Sequence, residues 1–176
     1  MGGYAEVVSK VCSGGWNLLI FVTLGTQKFQ MNRLVKAIDD ISAELDEDFF
    51  IQIGNSTYKP VNCAYQQFLS KEEYREKIEI CRMLITHAGV GTIIEGINAG
   101  KPVIVVPRQK AMKEHVDDHQ MQIAEAFSNK GCVLCCSDAD KLKKYIQKAE
   151  KYDFQPYEVK GGNIEDIVLD FIDIFD

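Results

Sequence analysis

Three things are scarce in this chain, and each scarcity removes a class of protein. No apolar run approaches the ~20 residues that a membrane-spanning helix needs, and the first residues show no basic stretch leading into the apolar core of a secretory leader. No basic stripe is present either. The formal net charge is −6 at pH 7, which argues against a general nucleic-acid or anionic-membrane binder, because nothing would displace phosphate counterions. Lys141, Lys143, Lys144, Lys148 and Lys151 do cluster, but Asp138, Asp140 and Glu150 lie among them, which is the pattern of a solvated helix face. Cysteine is thin for a secreted scaffold. The six cysteines, at positions 12, 63, 81, 132, 135 and 136, lack the density of a disulfide framework, and a reducing cytoplasm is the expected setting. Cys132 and Cys135 have the spacing of half a zinc site, yet no second ligand pair follows. The run Gly131-Cys132-Val133-Leu134-Cys135-Cys136 reads instead as a buried strand whose thiols pack as small hydrophobes.

What is present is an alternating pattern. A length of 176 residues suits one domain with an adequate core. Residues 1–17 hold two Gly-Gly pairs and no periodicity, so an irregular extension is expected there and the domain over 18–176. Leu18 to Thr23 is a continuous apolar run ending at Gly25, as a strand buried on both faces reads. Met31, Leu34, Val35, Ile38, Ile41 and Leu45 recur at helical spacing. Phe49–Ile53 is a second strand and 64–69 a short third, before a helix over 71–81. Strand 83–86, helix 91–99, strand 103–106, helix 115–128, strand 132–136 and helix 139–150 then alternate without a break. Such alternation predicts a doubly wound α/β fold, a mainly parallel sheet of about six strands with helices on both faces. Ligands in such folds sit beyond the carboxyl ends of the strands.

Residues 83–107, MLITHAGVGTIIEGINAGKPVIVVP, are the most informative segment. Buried strand, glycine turn, helix and second buried strand follow one another, so a helix N-terminus is offered to an anion. Thr92-Ile93-Ile94-Glu95 has the spacing of a capping box, and Gly89 and Gly91 would let a phosphate approach the backbone closely. Gly25-Thr26-Gln27, after the first strand, is a second loop of the same kind. Both should line one crevice. Neither is a Walker loop or G-x-G-x-x-G, which weighs against an NTPase or a dehydrogenase.

Other residues admit two readings. His115 and His119 are four apart at the expected start of a helix, a spacing that can bind metal, but no Glu follows His115 as H-E-x-x-H requires. Val116, Gln120, Ile123, Ala124 and Phe127 would form the inward stripe of that helix, and a buried amide such as Gln120 needs partners. Backbone groups would serve; the adjoining Asp118 and His119 favour ligand hydroxyls. Asp46-Glu47-Asp48 contains D-x-D but reads as an acidic loop between helix and strand. At 163–176, Ile164, Ile167, Val168, Phe171, Ile172 and Phe175 form an apolar stripe opposite acids. Packing on its own domain and docking on a partner suit it equally.

Three motifs in order, FVTLGTQ at 21–27, HAGVGTIIEGINAGKPVIVVP at 87–107 and EHVDDHQ at 114–120, resemble the nucleotide-sugar half of GT-B glycosyltransferases of the MurG type. Within that group the chain is similar to the stand-alone subunits: the galactosyltransferase-like subunit of capsule and exopolysaccharide clusters and the catalytic subunit of the eukaryotic dolichol-linked N-acetylglucosamine transferase. The resemblance covers about residues 18–175. It implies that Gly25 and Thr26 face the donor diphosphate, and that Gly89, Val90, Gly91 and Thr92, with His87 beside them, bind the phosphates. It further implies that Glu95 holds the ribose hydroxyls and that Phe68 and Leu69 lie beside the uracil. His119 and Gln120 would contact the transferred sugar, within a signature that includes Glu114, His115 and Asp118. The activity so implied is inverting transfer of a hexose from a UDP-sugar to a lipid-diphosphate-linked saccharide, without metal or cofactor. A membrane-anchored partner would bind the acceptor, which puts the chain at the inner face of the membrane. The general base is left open, with His87, His115 and Glu114 as candidates. A non-catalytic UDP-sugar-binding regulatory subunit is the alternative, and a UDP-sugar epimerase of the related two-domain type has no room for its extra domain.

Overall fold

The computed structural model describes residues 19–157; the extension at 1–17 and the amphipathic helix at 163–176 lie outside the described residues. Six strands form one sheet: β1 (Ile20–Thr23), β2 (Phe49–Gln52), β3 (Ala64–Gln66), β4 (Met83–Thr86), β5 (Val103–Val105) and β6 (Leu134–Cys135). Among the described residues five α-helices accompany them: α1 (Asn32–Ser42), α2 (Lys71–Ile80), α3 (Val90–Asn98), α4 (His119–Asn129) and α5 (Leu142–Ala149). All strand pairings are parallel and the order is β3-β2-β1-β4-β5-β6. The chain winds outward from β1 in one direction, then returns to β4 on its other side and winds the opposite way. Ile20 stands opposite both Phe49 and Met83, so the carboxyl ends of β1 and β4 are level and a crevice opens between them.

The central strands carry apolar side chains on both faces because helices cover both. On one face α1 and α5 bury Leu34, Val35, Ile38, Leu142 and Ile146 against Val22, Ile51 and Ile85. On the other, α2, α3 and α4 bury Ile78, Ile93 and Phe127 against Phe21, Leu84 and Val105. Each such side chain contributes roughly 1.5–3 kcal/mol on removal from water. The capping box lies on α2, where the Glu73 amide donates to Ser70 Oγ at 3.2 Å and the Ser70 amide to Glu73 Oε2 at 2.7 Å.

Several boundaries differ from the sequence reading, each for a local reason. The helix expected over 115–128 begins only at His119, because Lys113 adopts a left-handed conformation (φ 58) and Asp118 occupies the N-cap. Val116 consequently leaves the inward stripe and is 63% exposed. The element at 139–150 divides into a 3-10 turn, Ala139–Lys141, and α5. Residues 132–136 are buried as expected, although only Leu134–Cys135 pair as strand. Burial pushes the Cys135 thiol up to about 11 and Cys136 up to about 12, so both stay protonated packing groups. The acidic loop sits at the amino end of β2, where Glu47 pairs with Arg82 beside the start of β4. That is the end of the sheet away from the crevice.

Candidate functional site

Both glycine loops reach the crevice and meet at one side chain. Gly25 follows β1 with φ +69, and His87 and Gly89 follow β4. The His87 ring is wedged between them: a Cβ at Gly25 would stand 2.6 Å from His87 Cε1, and one at Gly89 would stand 2.5 Å from Nε2. Thr86 Oγ1 donates to the Thr23 carbonyl at 3.2 Å and lies 3.3 Å from His87 Nδ1, tying the two strand ends together. Burial, helped by the nearby Arg108 charge, pulls the imidazole down to about 4. His87 is therefore neutral at pH 7.

The start of α3 is open. Among the described residues Gly89 is the N-cap, no side chain caps the helix, and a Cβ at Gly91 would meet no atom within 4 Å. First-turn amides have no partner within the helix, so those of Val90, Gly91 and Thr92 form an accessible positive end. This revises the expected capping box: Thr92 lies inside the helix rather than at its cap. Glu95 is exposed on the next turn, beside the hydroxyl of Tyr74. That hydroxyl is buried without a hydrogen bond among the described residues, and burial raises it to about 12. Phe68, 40% exposed, and Leu69 immediately precede α2, and Leu69 packs in the same cluster as Val90 and Tyr74.

The other wall is the segment from Arg108 to Gln120. Gln120 is buried, and its Oε1 accepts from the backbone amides of Ala88 at 3.3 Å and Arg108 at 3.0 Å. Its oxygen thus has the backbone role, not the ligand role that its neighbours suggested. Glu114, also buried, takes a two-pronged bond from Arg33 (Nε to Oε1 2.9 Å, Nη2 to Oε2 3.0 Å) and a third from the Gln109 amide at 3.1 Å. Its carboxylate is consumed by scaffold contacts. Asp118 accepts from the Lys110 amide at 2.9 Å, and His119 is exposed with its Nδ1 3.0 Å from Gln122 Oε1. His115 is not on the helix, so it shares no helical face with His119. Its Nδ1 lies 2.9 Å from Asp117 Oδ1 and its ring 5.7 Å from that of Phe29. Hydrogen bonding from the His119 amide, with the two histidines nearby, holds the Asp117 carboxyl below its usual range.

Two residues escaped the sequence reading. Arg33 carried no signal, since its partner lies 81 positions away. Arg108 offered a weak one, as a charge directly after β5 at the ligand-facing ends of the strands.

A single parallel sheet with this strand order, helices on both faces and the crevice at its reversal point is the Rossmann-like half of the GT-B glycosyltransferase fold. The chain belongs to the glycosyltransferase family 28 C-terminal domain, which residues 19–173 match. Over 127 residues it is 28% identical to the human UDP-N-acetylglucosamine transferase subunit ALG13, a match spanning 67% of this chain and 11% of that protein. With the Candida albicans subunit of the same name it shares 33% over 102 residues, 57% of this chain and 31% of that one. The chain thus spans less than a third of the length of these curated relatives. Among solved structures, Acinetobacter baumannii MurG superposes with a TM-score of 0.55 at 17% identity, over 94% of this chain and 52% of that one. The solution structure of ALG13 superposes at 0.53 and 17% identity, over 81% and 90%. At these identities the superpositions establish the fold.

Proposed function

We propose that the chain is the donor-binding, catalytic subunit of an inverting glycosyltransferase that moves a hexose from a UDP-sugar to a lipid-diphosphate-linked acceptor. The observation that carries this reading is the convergence of both glycine loops on His87, beside an uncapped helix N-terminus. Neutral main-chain donors on two sides suit a diphosphate, and the departing UDP would be stabilised by the same amides without a divalent metal. In this reading Glu95, exposed one turn into α3, would hold the ribose hydroxyls and Phe68 would lie beside the uracil. N-acetylglucosamine is the first sugar to test, because the named relatives are UDP-N-acetylglucosamine transferase subunits.

Of the three candidate bases, His115 is favoured. Glu114 has both oxygens engaged, and His87 is buried with an imidazole too weakly basic to take a proton at neutral pH. His115 has a carboxylate on one ring nitrogen, an arrangement that orients the other to accept a proton from the acceptor hydroxyl. In this reading a membrane-anchored partner subunit supplies the acceptor side and holds the chain at the cytoplasmic membrane face, in cell-surface polysaccharide or glycolipid synthesis. Calorimetric titration with UDP and a panel of UDP-sugars tests the donor claim: micromolar to millimolar binding is expected, and no heat at millimolar UDP would refute it. Transfer assays with partner present then separate a catalytic subunit from a regulatory one.

A further inference from the structure

The largest fully buried side chain among the described residues is not a hydrophobe but Arg108, 1% exposed. Every acceptor it uses is a carbonyl: Nη2 donates to Leu24 at 2.8 Å, and Nη1 to Phe29, Gln30 and Glu114 at 3.0, 3.3 and 3.3 Å. Its Nε donates to nothing among the described residues. Leu24 immediately precedes Gly25, so the side chain anchors the first glycine loop. Its main chain reaches the second loop, since the Arg108 and Ala88 amides share Gln120 Oε1. One residue therefore spans both walls of the crevice.

Among the described residues its charge has no full counter-ion. Arginine keeps its proton even where burial lowers its pKa, as it does here. The nearest carboxylate is that of Glu114, already held by the two-pronged bond from Arg33. Two guanidinium groups face one carboxylate, and an uncompensated buried charge is costly to keep.

We infer that Arg108 is a positioning residue for the donor diphosphate: it sets the spacing of the two glycine loops and leaves behind them a buried positive charge that the ligand neutralises. The inference rests on the nucleoside-diphosphate reading of the site. Its signature is discrimination between charged and uncharged ligands, which a purely structural link would not move.

The test compares UDP with uridine, by calorimetry, in the full chain and in Arg108→Gln and Arg108→Lys variants. In Arg108→Gln the ratio of UDP to uridine affinity should fall roughly 10- to 100-fold, on the scale of one charge-assisted contact. Arg108→Lys should restore most of that ratio. An unchanged ratio, or equal weakening of both ligands, overturns the inference. Should Arg108→Gln fail to fold, NMR of the unmodified protein decides: the Arg108 Nε–H resonance should shift with UDP and not with uridine, and no shift overturns the inference. If the unmodified protein binds no UDP, the donor reading falls and takes this inference with it; binding with an unaltered ratio removes the inference alone.

Discussion

Replacing Gly89 with alanine probes the contact that joins the two glycine loops. The added methyl would sit 2.5 Å from His87 Nε2, well inside van der Waals contact. A flexible side chain could swing away at little cost, but His87 cannot, because the same Cε1–Nε2 edge of its ring already lies against Gly25, where a Cβ would be 2.6 Å off. Overpacking of this kind costs about 1–3 kcal/mol. Gly89 has an ordinary φ of −82, so the whole cost is steric and should vanish when the ring is removed. Urea denaturation of Gly89→Ala, His87→Ala and the double variant should therefore give a coupling energy of about 1–3 kcal/mol, with the double variant no less stable than His87→Ala. Gly25→Ala behaves differently. Removing His87 relieves its steric part but leaves about 1 kcal/mol for placing a non-glycine residue at φ +69. If Gly89→Ala destabilises the protein equally with and without the His87 ring, the wedge between the loops is not what holds them together.

Three further outcomes follow from the same geometry. The unfolded chain binds a proton on His87 near 6.5 and the folded chain only near 4, so the unfolded state holds more protons between those values and stability falls with pH. The loss should approach about 3 kcal/mol from pH 7 to pH 4, and the pH dependence of urea midpoints should be shallower by that amount in His87→Asn. Glu114→Ala strands Arg33 and removes three hydrogen bonds; unfolding should cost about 3 kcal/mol less, and Arg33→Ala in the same background should add little. Asp117→Asn should lower kcat by ~10-fold or more while leaving UDP affinity unchanged, if Asp117 orients His115 as base. An altered Kd for UDP with unaltered kcat would move Asp117 to the donor side.

The parallel sheet and its two helical layers were readable because the strands are unbroken apolar runs and the helices carry apolar stripes, patterns that depend only on near neighbours in sequence. The two glycine loops were readable for the same reason, since glycine directly after an apolar run marks a tight turn. In the 113–119 region a left-handed Lys113 and an N-cap at Asp118 override a helical-looking spacing, which puts Val116 at the surface and separates His115 from His119. The Thr92–Glu95 spacing makes no capping box, since α3 starts at Val90, two residues ahead of Thr92, with Gly89 as its N-cap.

Sequence alone determined the fold class and the glycine turns after β1 and β4, because strand and helix periodicity and turn chemistry are local properties. Only tertiary structure decided that His87 fills the space between those loops, that Gln120 and Glu114 brace the scaffold, and that Arg108 buries its charge behind both. Those roles arise from contacts between residues as many as 84 positions apart. No periodicity encodes such a distance; the folded sheet supplies it by levelling the ends of β1, β4 and β5.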